Sequence, residues 1–210
     1  METLQDRIRA GEHTTQDFKF RIDDQRKIAR TLCAFANTEG GSLLIGVKDN
    51  GKVVGCDPQE EFHMIEGAAT LFCFPPVKIE SRIWQEDFRL VLEIVVPVEN
   101  PPIHRASDDQ GKKRAFIRVN DQTIAANKIT EGVWREKARV GSKPLAFDRN
   151  QLELLDVLKG HPLSSLSNLY RSSPMTKKEI DRLVIQLICW GIIDQHFTSE
   201  GIRFSLSKSN

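Results

Sequence analysis

The sequence predicts an α+β protein: a mixed central sheet with flanking helices, followed by a small winged helix-turn-helix-like domain. Three observations carry this. Helical and strand patterns interleave over the first two thirds of the chain, yet hairpin turns join several strands, which argues against a doubly wound parallel sheet. Composition shifts at VGSKPLAF, residues 140 to 147. Beyond that point three helical patterns precede a final hairpin, the order of elements in a winged helix. The expected domains are 1–140, a linker at 141–148, and 149–210.

The elements follow in order. Residues 2 to 11 form a short helix with Leu4 and Ile8 on one face, stopped at Gly11. QDFKFRI at 16 to 22 alternates, so a half-buried strand is expected, with Phe18, Phe20 and Ile22 inward and Asp17, Lys19 and Arg21 outward. Asp23 or Asp24 caps a helix carrying Ile28, Leu32, Phe35 and Ala36 at helical spacing, and Gly40-Gly41 ends it. SLLIGV reads as a buried strand, KDNGK as a turn and KVVGC as a returning strand. Residues 58 to 73 are an amphipathic helix closed by Pro75-Pro76. VKIESRIW and FRLVLEIVVPV flank a turn at 85 to 87 and make a hairpin. A Pro-containing loop leads to the strand RAFIRVN, and TIAANKITEGVWREKAR reads as mainly helical. In the last domain NQLELLDVLKG, SSLSNLYRSS and TKKEIDRLVIQLICWG are helices, the third opened by a Thr176–Glu179 capping box. GIIDQHF and GIRFSL then form the hairpin.

Composition bounds the function. The 210 residues are 40% hydrophobic and 28% charged with a net charge of +1, so a core is available and no global basic field exists. Nucleic-acid binding would therefore need local cationic patches. No signal-peptide core opens the chain, and no apolar run approaches the roughly 20 residues that span a bilayer. A cytoplasmic protein with no membrane partner is expected. Cys33, Cys56, Cys73 and Cys189 form no C-x-x-C pair and read as reduced core cysteines. No phosphate loop, dinucleotide fingerprint or zinc spacing occurs. His104, in PPIHRA, is expected in a surface loop beside the basic strand.

The run CAFANTEGGSLLIGVKDNGKVVG at 33 to 55 resembles the signature of the Schlafen-type Alba-like domain. EHTTQDFKF at 12 to 20 resembles that family's opening strand, and FIRVNDQTIAAN at 116 to 127 its late strand. The resemblance covers about residues 10 to 140. Two departures stand out: Asp17 takes the place of a usual Glu, and Asn120-Asp121 that of a usual Gly-Ser. The family is often labelled as DNA-binding in bacteria, and earlier as ATP-binding. The resemblance thus implies a nucleic-acid-binding protein, DNA before RNA, acting as a transcriptional regulator.

Two alternatives stay open: an ATP-binding regulator, and a metal-dependent RNA endonuclease of the kind known among animal Schlafen proteins. The second would place Mg²⁺ or Mn²⁺ on three carboxylates, which by resemblance are Glu12, Asp17 and Asp49. No cofactor is otherwise expected. Candidate phosphate contacts are Lys19, Lys112, Lys113, Arg114 and Arg118 in the first domain, with Lys137, Arg139 and Lys143 after them. In the last domain they are Lys177, Lys178 and Arg182 on the third helix and Arg203 in the hairpin. DNA or RNA and a second copy of the chain are the expected partners.

Overall fold

The computed structural model describes residues 3–100, 103–139, 147–198 and 201–208. The chain divides into two compact units, 1–126 and 127–210. This moves the expected boundary at 140 back by one helix. The expected linker lies almost wholly outside the described residues, and Lys143 with it.

The first unit contains α1 (Leu4–Ala10), β1 (Gln16–Lys19), α2 (Gln25–Asn37), β2 (Gly41–Ile45), α3 (Pro58–Leu71), β3 (Cys73–Phe74), β4 (Glu80–Glu86), β5 (Arg89–Val96), β6 (Arg105–Ser107), β7 (Lys113–Val119) and β8 (Gln122–Ala125). The class is α+β as expected, with the strands divided between two four-stranded sheets. One has the order β1-β2-β5-β4, the other β3-β6-β7-β8. β1 and β2 run parallel and every other pairing is antiparallel. α2 packs against strands of both sheets. Its run of buried residues from Ile28 to Asn37 is broken only by Arg30, because a helix between two sheets has almost no solvent face. Asp24 caps it by accepting from the amides of Arg26 and Lys27.

Three local expectations fail here. β1 is not half-buried: Gln16, Asp17 and Phe18 are all buried, while Phe20 lies beyond the strand, exposed. Phe18 joins the apolar cluster of Leu4, Leu44 and Val91, and Asp17 turns to buried Arg118, so both faces are covered. KVVGC pairs only through a Val47–Val53 bridge and forms no strand. TIAANK opens with β8, paired to β7 around the Asn120-Asp121 turn, before any helix starts.

The second unit contains α4 (Lys128–Lys137), α5 (Arg149–Gly160), β9 (Ser164–Ser165), α6 (Leu166–Arg171), α7 (Lys177–Cys189), β10 (Ile193–Thr198) and β11 (Gly201–Leu206). The strands form an antiparallel sheet in the order β10-β11-β9. The core comprises Leu154, Leu158, Leu169, Ile180, Leu183, Val184, Leu187, Ile193 and Phe204, with Ile129 and Val133 contributed by α4. α4 therefore belongs to this core. The Thr176–Glu179 capping box forms as read, with Glu179 Oε2 accepting from Thr176 N at 2.9 Å.

Candidate nucleic-acid interface

The 33–55 segment is a joint. Asn37, at the end of α2, donates from Nδ2 to the carbonyls of His104 (2.8 Å) and Phe116 (3.1 Å), and its Oδ1 accepts from His104 N (3.1 Å). Thr38 Oγ1 accepts from Arg118 N and donates to Ala34 O. Gly40 has φ +74°, and a Cβ there would lie 2.9 Å from Val96 O. One helix end is thus stitched to both sheets with its polar groups satisfied. His104 is buried in this joint, 2% exposed, with Nδ1 2.9 Å from Pro75 O. The expected surface position is wrong because Asn37 draws its backbone inward.

The acidic trio is only partly assembled. Glu12 and Asp17 are neighbours; Glu12 Oε1 accepts from Phe18 N at 2.9 Å. Burial, and then a side-chain hydrogen bond with Asp17, push the Glu12 carboxyl above the usual range, partly offset by the Phe18 amide. Asp17 Oδ2 lies 2.9 Å from Lys19 Nζ and its Oδ1 3.6 Å from Arg118 Nη2. Asp49 is exposed, at a surface hollow with Ile8, Arg9 and Gly51. Among the described residues no three His, Cys, Asp or Glu side chains are grouped to hold a metal ion. A three-carboxylate Mg²⁺ or Mn²⁺ site does not fit, since the Asp17 oxygens face cations of the protein itself.

The same geometry removes most of the cations expected to meet phosphate in the first unit. The Arg118 side chain is 2% exposed; it donates to Thr123 Oγ1 and His13 O, and stacks on Phe35. It cannot reach a phosphate because it points from β7 into the core. Lys19 is held by Asp17 and Phe18 O. Arg114 pairs with Asp108 at 2.8 Å. Lys112 and Lys113 remain exposed at the β6–β7 turn, with Lys113 Nζ over the Phe74 ring.

In the second unit Lys177, Lys178 and Arg182 are exposed, and none makes an ion pair among the described residues. They occupy the first two turns of α7. Asp181, between them, is already neutralised: its Oδ2 accepts from Lys128 Nζ at 2.6 Å, and Oδ1 accepts from Tyr170, the one tyrosine of the chain. The hydrogen bond to Asp181, and then that to Tyr170, hold the Lys128 ammonium above its usual range. Sequence reading missed Lys128 and Tyr170; a lysine in a segment read only as helical gives no sign of its partner 53 residues away. Arg203 sits part-buried on β11, opposite His196.

The fold defines the first unit as an α+β domain with a buried charge centre. Residues 12–127 match the family model described as "Schlafen, AlbA_2". The chain belongs to this family. Two solved structures are similar at 19% identity. The DIP2311 protein from Corynebacterium diphtheriae aligns with 92% of this chain at a TM-score of 0.43; the chain spans about a third (34%) of that protein's length. The N-terminal domain of a RecG-related protein from Nitrosomonas europaea aligns with 71% of this chain and 97% of its own length, at a TM-score of 0.40. Among the described residues no helix is long and apolar enough to cross a membrane.

Proposed function

We propose that the chain binds nucleic acid, DNA in the first instance, and acts as a regulator of transcription through its second unit. The observation that carries this is the exposed set Lys177, Lys178 and Arg182 on α7, without ion pairs among the described residues. After α4, the elements α5, β9, α6, α7 and the β10–β11 hairpin follow the element order of a winged helix, in which the third helix, here α7, meets DNA. Membership of a Schlafen, AlbA_2 family supports the same reading. Exposed cations that meet phosphates release condensed counterions, so binding of this kind weakens steeply with salt.

The test is fluorescence anisotropy with labelled duplex and single-stranded DNA, run at low and at physiological salt. The intact protein is expected to bind at low salt and to lose affinity as salt rises. The triple variant Lys177→Glu, Lys178→Glu, Arg182→Glu is expected to lose about tenfold or more of that affinity. No binding of either DNA by the intact protein at low salt overturns the proposal.

A further inference from the structure

α4 and α7 lie side by side in register. Lys128 meets Asp181, Gly132 meets Ile185, and Val133 O lies 3.9 Å from Cys189 Sγ. Gly132 makes this approach: a Cβ built there would fall 2.3 Å from Ile185 Cδ1. Beside the contact runs a cleft of about 660 Å³. Its lining includes Arg135 of α4 and Arg139 just beyond the end of that helix, with Lys178 and Arg182 four residues apart on α7. Gly132, Leu183 and Ile185 also line it. Three carboxylates also line it. Asp181 is bonded to Lys128 and Tyr170, Glu136 lies 2.9 Å from Arg139, and Asp148 is spent capping α5. The uncompensated charge of the cleft is positive.

A ligand seated in this cleft meets cations beside α4 as well as those of α7. Cations on both sides of a groove suit the backbone of one strand, with its phosphates held between them.

We propose that the α4–α7 cleft binds the backbone of a single nucleic-acid strand, with Arg135 and Arg139 on one side and Lys178 and Arg182 on the other. This rests on the nucleic-acid-binding reading above and names the form of nucleic acid that it takes. Arg135 and Arg139 are exposed, so substituting them leaves the core intact.

The experiment uses the full chain and fluorescein-labelled oligo(dT), with a duplex of equal length as the second arm. The expected result is tighter binding of the single strand than of the duplex. Arg135→Glu with Arg139→Glu should lower single-strand affinity about tenfold and reduce the slope of log affinity against log salt by about 1.4, two phosphates' worth. Arg135→Lys with Arg139→Lys should keep most of both, and a thermal melt should show each variant folded. Should the charge-reversed variant misfold, Lys178→Glu with Arg182→Glu tests the opposite wall, with the same loss expected. If the intact protein binds duplex alone, or the charge-reversed variant binds oligo(dT) as well as the intact protein, the cleft assignment is wrong and nucleic-acid binding stands. If the intact protein binds neither, both fall. Displacement of oligo(dT) by a nucleoside triphosphate at equal phosphate concentration makes this a nucleotide site and overturns the strand assignment.

Discussion

The two units treat charge in opposite ways. In the first, Asp17, Glu93, Arg118 and Arg7 are drawn into or against the core and answered by one another: Arg118 by Asp17, and Glu93 by Arg7 at 2.8 Å with Trp84 Nε1 at 2.7 Å. In the second, Lys178 and Arg182 stand on an exposed helix face and their acidic neighbour is taken by Lys128. Charges that satisfy each other fix a fold and have nothing left for a ligand. Charges left to solvent add little stability, and they are the ones that a polyanion can use.

This contrast breaks first at Arg118. Replacing it with Met takes a side-chain donor from the carbonyls of His13 and Gln16, which keep each other's backbone amides, and removes one cation from buried Asp17. A loss of about 3–5 kcal/mol in chemical denaturation is expected. DNA affinity, measured below the shifted unfolding transition, should stay unchanged. A variant as stable as the parent but defective in binding would place Arg118 on the ligand and erase the distinction between the units.

The smallest expected effect lies at Glu12. Its carboxyl is raised in the folded state, so folding favours the protonated form and the ionised form costs stability above the usual carboxylate range. Glu12→Gln keeps an acceptor for Phe18 N and offers a donor to Asp17. A small rise in melting temperature at neutral pH is expected, vanishing as pH falls below the unfolded carboxylate pKa, where Glu12 is protonated in both states. A stability loss at neutral pH would instead mean that the ionised form is the one the fold selects.

Much of the architecture was legible in the sequence because it depends on local pattern. α2 shows its 3.6-residue period, its Asp24 cap and its glycine stop. α7 shows its capping box and apolar stripe, and the β4–β5 and β10–β11 hairpins show their alternating strands, although Gln85 and Glu86, read as turn, pair with Leu90 and Arg89. What failed depended on contacts distant in sequence. Asp17 alternates as a surface residue would, but Arg118, 101 positions later, buries it. His104 looks like loop surface until Asn37 claims its backbone. α4 carries no mark of which core it joins; Gly132 acquires meaning only beside Ile185. Motif similarity located the domain but could not assemble a metal site: it aligned three carboxylates, and the fold brings two together and hands one of them to cations.

On this reading ligand contact belongs to the second unit, and the acidic centre of the first, with Asp17 held by Lys19 and Arg118, is structural. Amide chemical-shift mapping of the isotope-labelled full chain during titration with oligo(dT) tests it most directly. Shifts are expected to concentrate in residues 128–139 and 177–189, with the amides of Glu12, Asp17 and Phe18 unmoved. Shifts centred on Glu12, Asp17 and Asp49, with α4 and α7 silent, would contradict it.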